Sequence, residues 1–248
     1  MENIEKNKFG LVGKNISYSF SKGYFTQKFK DLGLDHNSYE NFDLSAIEDF
    51  QTLIQHNKNL KGLNVTIPYK EVVIPYLNKL DSKAGKIGAV NTIKFTKKGL
   101  KGYNTDIYGF KKVIKPFLKK RHRKALILGT GGASKAVAFV FGELGIKHKY
   151  VSRNPDENQF GYVDLNEKVL KKYTVLVNCT PQGTFPNIAD KPDIPYQFIS
   201  TRHLLFDLIY NPEKTAFLRE GENQGAAISN GLRMLELQAE KSWEIWNS

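Results

Sequence analysis

The residues able to do chemistry fall in a few short strings. NVTIPYK, residues 64–70, carries Asn64, Thr66 and Lys70. AVNT at 89–92 and YNTD at 103–106 add Asn91, Asn104, Thr105 and Asp106. Ser19-Phe20-Ser21 places two hydroxyls just before a helical stretch. Hydroxyls beside unpaired helix N–H groups hold a carboxylate, or simply cap the helix. Taken singly, each string is ordinary turn chemistry. Together they outline a site for a polyhydroxylated acid, with an anion clamp, several hydroxyl partners, and Lys70 with Asp106 for proton transfer.

A further string, Gly129-Thr130-Gly131-Gly132-Ala133-Ser134, lies between the apolar run KALIL and a helical stretch. That is the context in which a glycine turn holds a dinucleotide. Gly129 permits the tight turn and Gly131 lets the backbone approach a pyrophosphate. Gly132 and Ala133 lead into the helix, and Ser134 stands where a small residue is needed for helix–strand packing. An NAD site carries an acid at the tip of the next strand, bonded to the ribose 2′-OH. Here that strand ends KYVSRNP, with Ser152 and Arg153. An arginine there pairs with a 2′-phosphate, which favours NADP. Asp156 and Glu157 close by keep NAD as the alternative.

These strings need elements to hold them. The short apolar run Lys8–Gly13 reads as a strand, as do Ser38–Leu44 and Leu60–Ile67. Between and after them, Gly23–Leu32, a stretch capped by Ser45 with Glu48 as a capping box, and Tyr69–Leu80 read as helices. Residues 88–96 and 100–103 form a strand pair around a turn at Lys97-Lys98-Gly99. Beyond Asp106, Ile107–Leu118 is helical and Pro116 weakens its end. Strands at Lys124–Leu128, His148–Ser152, Val175–Asn178 and His203–Leu208 accompany a helix at Ser134–Leu144. Leu232–Trp246 closes the chain as a helix with Leu235, Ala239, Ser242 and Trp246 on one side. Strands alternating with helices predict an α/β protein with mostly parallel sheets.

The strings SFSKGYF, NVTIPYKE, GAVNT, YNTD, GTGGAS, NCTPQG and SNGLRMLELQAE, in this order and spacing, make the chain resemble the shikimate dehydrogenase family from about residue 10 to its C-terminus. The resemblance implies NADPH-dependent, reversible reduction of 3-dehydroshikimate to shikimate in aromatic amino-acid (chorismate) biosynthesis. It implies an N-terminal α/β substrate domain, residues 1–106 with 232–248. A Rossmann-like NADP domain, residues 107–231, would complete the fold, the last helix returning to the first domain and the two domains closing on one cleft. Ser19 and Ser21 match the family's carboxylate-binding serines. Thr66, Asn91 and Gln238 match its hydroxyl contacts, and Tyr210 a tyrosine near the substrate. Lys70 and Asp106 match the catalytic pair. Gly231 matches a glycine whose backbone meets the nicotinamide, and Met234 a methionine packing there. Two positions depart from the pattern. Glu157 stands where NADP-type members often carry a basic residue, and Tyr18 replaces a histidine common before the serine pair.

Composition narrows the alternatives. A formal net charge of +12 suggests nucleic acid, but residues 111–124 hold eight Lys/Arg and no acid, so one segment carries most of the excess. Without interleaved aromatics or a surrounding motif, that segment reads as a solvated helix face and loop. A nucleotide-sensing or RNA-binding module using it is the rival of a different class. A quinate/shikimate dehydrogenase using NAD is the nearer rival, and a folate-type methylene dehydrogenase is disfavoured by the serine pair. Cys179 is the only cysteine, which excludes an intrachain disulfide and a Cys-rich zinc site. No metal is expected. The N-terminus lacks a hydrophobic signal region, and no apolar run approaches a membrane span. The sequence thus predicts a cytoplasmic monomer or homodimer whose partners are its small acid and its cofactor.

Overall fold

In the computed structural model, residues 6–17 and 19–248 are described, and Tyr18 lies outside them. The chain divides into two compact units. One comprises the described residues up to Thr105 with Gln238–Ser248, and the other Asp106–Leu237.

The first unit contains β1 (Asn7–Gly13), α1 (Phe20–Asp31), β2 (Asn37–Asp43), α2 (Asp49–His56), β3 (Leu60–Val65), β4 (Lys79–Leu80), α3 (Ser82–Ile87), β5 (Thr92–Thr96) and β6 (Gly99–Tyr103). The sheet order is β2-β1-β3-β5-β6-β4. β1 pairs in parallel with β2 and β3, and β4 with β6, whereas β5 runs antiparallel to both neighbours. Side chains alternate across a strand, so β1 feeds two cores. Phe9 and Leu11 join Phe25 and Phe29 of α1, Tyr39 and Trp246 on one face. Val12 joins Phe50 of α2, Leu63, Tyr69, Val90 and Ile93 on the other.

Three expected helices differ. The stretch Tyr69–Leu80 forms turns, a short 3-10 turn at Ile74–Tyr76 and strand β4. Pro75 lacks an N–H and its ring clashes with the carbonyl four residues back, which stops an α-helix there. The Ser45 capping box does not form. α2 begins after Glu48, whose side chain makes no cap bond. Instead, Asp49 and Phe50 donate their N–H groups to Ala46 and Ile47 in tight turns that start the helix. The helix after Asp106 ends at Ile114, and Lys115–Phe117 tightens to a 3-10 turn around Pro116.

The second unit contains α4 (Asp106–Ile114), β7 (Lys124–Leu128), α5 (Gly132–Glu143), β8 (Lys147–Ser152), β9 (Phe160–Gly161), α6 (Glu167–Lys172), β10 (Val175–Asn178), β11 (Leu204–Asp207), α7 (Ala216–Asn223) and β12 (Ala227–Ser229). Every pairing in its sheet is parallel, in the order β12-β11-β10-β7-β8-β9. Read from β9, this is the 3-2-1-4-5-6 order of a dinucleotide-binding sheet, with the chain reversing direction across the sheet between β7 and β10. β10 and β11 are buried along their whole length, as is β7 after Lys124, because helices cover both faces. Leu126, Leu176 and Leu205 pack toward Leu170 of α6 and Phe217 of α7. Phe110 of α4 meets Phe141 and Phe206 edge-on at 5.5 and 5.2 Å.

The last helix, α8 (Leu232–Asn247), begins in the second unit and ends in the first. Its final turns seat Trp246 against Phe9 and Phe25, with ring centroids 5.0 and 5.3 Å apart, and Trp246 Nε1 donates to the Ile93 carbonyl at 3.0 Å. Gly62 admits the indole, since a Cβ there would lie 2.3 Å from Trp246 Nε1. No described helix is long and apolar enough to cross a membrane. Replacing a buried Trp with Ala typically costs about 3–5 kcal/mol. Trp246→Ala is therefore expected to lower unfolding free energy in urea by roughly that amount, with Gly62→Ala also destabilising. A loss below about 1 kcal/mol would show that the helix end is peripheral to the core.

Candidate active site

In the first unit, the polar strings gather at the carboxyl end of β3 and the start of β5. Asn91 is buried, and its carboxamide is almost fully engaged. Its Oδ1 accepts from the Thr105 N–H at 2.7 Å, from Thr105 Oγ1 at 3.2 Å and from Thr92 Oγ1 at 3.1 Å. Its Nδ2 donates to Thr105 Oγ1 at 3.0 Å and to Gln238 Oε1 of α8 at 3.4 Å. Asn104 is held beside it by donating to the Ala89 carbonyl. Asp106, the next residue after Thr105, is buried as the first residue of α4.

The network continues away from Asn91. Thr92 Oγ1 and Ser242 Oγ lie 2.8 Å apart, and Asn64 Nδ2 donates to Ser242 Oγ at 2.9 Å. The Tyr39 hydroxyl donates to Asn64 Oδ1 at 2.8 Å and also meets the Ser21 side chain. Burial pushes the Tyr39 phenol far above its ordinary pKa, against a smaller opposing effect of Ser21, so it stays neutral. Ser21 is thereby linked through Tyr39, Asn64, Ser242 and Thr92 to Asn91 and Gln238. Ser19 is the N-cap of α1, its Oγ accepting from the Ser21 N–H at 3.2 Å.

Backbone bonds fix the segment carrying Thr66 and Lys70. The Thr66 N–H donates to the Val12 carbonyl, the Tyr69 N–H to the Thr66 carbonyl, and the Val90 N–H to the Lys70 carbonyl. The Tyr69 hydroxyl adds a bond to the Leu44 carbonyl at 2.7 Å. Both Thr66 and Lys70 are half-buried. Lys70 belongs to the first unit and Asp106 opens the second.

In the second unit, the glycine turn follows β7 at the point where the strand order reverses. Gly129 has φ +99°, a conformation that favours glycine. Gly131 is the N-cap of α5 and offers no side-chain cap to its N–H groups. A Cβ on Gly131 would meet no protein atom within 4 Å. The space beside this helix start is therefore open to a phosphate, and the residues fit a dinucleotide. α5 begins at Gly132, two residues earlier than expected, so Ala133 and Ser134 lie in its first turn. Ser134 is buried, and its Oγ donates to the Gly131 carbonyl at 2.6 Å.

Arg153 follows β8 and is exposed, as is Glu157. Asp156 holds the loop between them and β9, accepting from the Asn158 N–H at 2.9 Å and from Gln159 Nε2 at 2.5 Å. Burial raises the Tyr162 phenol's pKa, and the charge of Arg153 opposes that rise. Gly231 sits against the turn after β11. Its N–H donates to the Ile209 carbonyl at 3.0 Å, and a Cβ there would lie 2.1 Å from the Leu208 carbonyl oxygen. Tyr210 is half-buried in that turn, and Met234 is buried in the first turn of α8. The basic segment has structural uses. Lys111 pairs with Glu143 at 2.8 Å, and Arg121 donates to the Thr201 and Arg202 carbonyls.

Sequence pattern does not single out Tyr39, places Thr92 only within the AVNT string, and places Ser242 only on a helix face. It also misses the buried Asp207, an acid ending an otherwise apolar strand, which is the signal that could have found it.

A parallel sheet in this order, with a glycine turn at its reversal point and a separate unit carrying a buried polar network, defines a two-unit α/β protein of the dinucleotide-binding class. Residues 11–93 match the family described as the shikimate dehydrogenase substrate binding domain. A relative from Clostridium botulinum, named shikimate dehydrogenase (NADP(+)), is 38% identical over 96% of this chain and 95% of its own. The structure of shikimate dehydrogenase 1 from Peptoclostridium difficile aligns with a TM-score of 0.83 at 38% identity, covering 97% of this chain and 92% of that one. Shikimate 5-dehydrogenase from Thermus thermophilus, solved in complex with NADP(H) and shikimate, aligns with a TM-score of 0.85 at 29% identity over 96% and 92% of the two chains. The chain belongs to the shikimate dehydrogenase family.

Ser242 is the joint of the polar network, and its Oγ also donates to the Gln238 carbonyl at 2.9 Å. Removing one partner from buried hydrogen-bonded groups costs about 1–3 kcal/mol. Ser242→Ala should lower stability in urea by that amount. An unchanged midpoint would show that the network does not depend on this hydroxyl.

Proposed function

We propose that the protein catalyses the NADPH-dependent, reversible reduction of 3-dehydroshikimate to shikimate in aromatic amino-acid biosynthesis. The observation that carries this reading is the bond between Asn91 and Gln238, two residues 147 positions apart in the chain, held 3.4 Å apart beside Thr105-Asp106. Such a pair of neutral amides suits the hydroxyls of a polyhydroxylated acid. Ser19 and Ser21 hold the substrate carboxylate at the start of α1. Thr66, Asn91 and Gln238 contact its hydroxyls, with Tyr210 near the substrate.

NADPH, when bound, supplies a hydride to the ketone carbon. Lys70 as an ammonium donates to the ketone oxygen as negative charge develops there, and gives it the proton. Asp106 orients Lys70 and accepts from the hydroxyl that forms. In the oxidation direction the same two residues take that proton away. Gly129, Gly131, Gly132, Ala133 and Ser134 receive the phosphates at the N-terminus of α5. Arg153 pairs with the 2′-phosphate, and Gly231 and Met234 border the nicotinamide. The protein works in the cytoplasm as a monomer or homodimer; a single cysteine suits a reducing compartment.

The reading is tested by following NADPH absorbance with shikimate and NADP or NAD side by side. Turnover with shikimate and a preference for NADP are expected, and absence of turnover overturns the reading. In the same assay, Lys70→Ala should lower kcat on the order of 10²-fold or more, with a much smaller change in KM for shikimate. A variant with near wild-type kcat would remove Lys70 from the mechanism.

Only NADP carries the 2′-phosphate, so Arg153→Ala should raise KM for NADP by about tenfold and affect NAD much less. Glu157→Lys should sharpen the preference by removing a like charge from beside the phosphate. Equal changes for the two cofactors in Arg153→Ala would show that Arg153 does not read the phosphate.

A further inference from the structure

Asp207 has no part in the chemistry described above, yet it is a fully buried acid at the carboxyl end of β11. Its two oxygens collect donors from three segments. Oδ1 accepts from Asn178 Nδ2 at 3.1 Å and from the Ile209 N–H at 3.0 Å. Oδ2 accepts from Thr215 Oγ1, the N-cap of α7, at 2.6 Å.

Each bond leads toward a different part of the cofactor unit. Asn178 ends β10, and its Oδ1 accepts from the Thr180 N–H at 3.0 Å and from Thr180 Oγ1 at 2.7 Å, which sets the loop that follows. The Thr180 methyl would lie 3.1 Å from a Cβ on Gly129, so this loop is packed against the glycine turn. The bond to the Ile209 N–H shapes the turn that carries Tyr210. The Ile209 carbonyl in turn accepts from the Gly231 N–H. One carboxylate therefore joins the glycine turn, Tyr210 and Gly231.

We propose that Asp207 is a positioning residue for hydride transfer: by tying the 178–183 loop to the 208–210 turn, its carboxylate sets Tyr210 and Gly231 against the cofactor side of the glycine turn. This rests on the assignment of Gly231 to the nicotinamide and Tyr210 to the substrate. Burial pushes the Asp207 carboxyl up to about 6, against the three hydrogen bonds that favour its ionised form. An acid whose folded-state pKa is raised opposes folding increasingly as pH climbs from its unfolded value through its folded one. Above that window the fold therefore keeps this carboxylate against its own stability, as sites retained for function do. Asparagine in its place could still accept from Asn178 and Ile209, but it would present a donor to Thr215 where the carboxylate presents an acceptor.

The test compares the wild type with Asp207→Asn at pH 7.5 by melting temperature, steady-state kinetics and NADPH fluorescence titration. A positioning role predicts a Tm no lower than wild type, kcat reduced on the order of 10- to 100-fold and KM for shikimate nearly unchanged. It also predicts NADPH binding weakened several-fold. Unchanged kcat and NADPH affinity overturn the proposal. So does a lowered Tm with full activity per folded molecule, which marks a purely structural role. If Asp207→Asn fails to fold, Asn178→Ala cuts the same link while leaving the acid, and the same kinetic pattern is required of it. If the wild type does not turn over shikimate, the functional reading has failed independently, and the NADPH titration still decides the role of Asp207.

Discussion

A carboxamide removed from water must find partners for its oxygen and its nitrogen together, and Asn91 does so only because two distant segments meet at it beside its own strand. Its oxygen takes the Thr105 N–H, its nitrogen takes Gln238, and Thr92 closes the other side. Moving any of these segments leaves a buried polar group unpaired. Thr105, the start of β5 and the middle of α8 are thus held in register by one side chain. Asp106, next to Thr105, takes its place from that constraint. The aromatic packing around Trp246 supplies bulk stability to the same helix, while the polar network determines where along its length the helix sits.

The second unit solves a different problem. A parallel sheet buried on both faces needs apolar strands, and the central strands β7, β10 and β11 supply them with little interruption. Polar groups are then confined to the strand ends, where Asn178 ends β10, Asp207 ends β11 and the glycine turn follows β7. A ligand at these ends meets backbone N–H groups and a few oriented side chains on rigid supports. In both units, chemistry-bearing side chains sit where strands stop, and strand pairing sets their spacing.

Much of this was legible in the sequence because local pattern and tertiary role agreed. The run KALIL followed by GTGGAS could be read as strand, turn and helix, since apolar burial and glycine conformation both act locally. The strings around Asn64, Asn91 and Asp106 could be read as polar strand ends. Their mutual bonding could not, because Ser242 and Gln238 arrive from more than a hundred residues away. The stretch Tyr69–Leu80 was misread because its apolar spacing imitates a helix while Pro75 forbids one. Elements of a few residues, such as β4, β9 and β12, have too little periodicity to announce themselves and exist because a longer strand beside them offers an edge. Asp207 was hidden by its neighbours, which mark a core strand and draw attention away from the one acid at its end.

In the proposed reaction, hydride passes from a reduced nicotinamide to the ketone carbon while Lys70 and Asp106 handle the oxygen. The most direct measurement incubates the protein with 3-dehydroshikimate and NADPH bearing deuterium at the transferable C4 position, and analyses the product by mass spectrometry. The account predicts shikimate carrying a single deuterium at the carbon that bore the ketone. Shikimate formed without label, or no shikimate formed by folded protein, would contradict it.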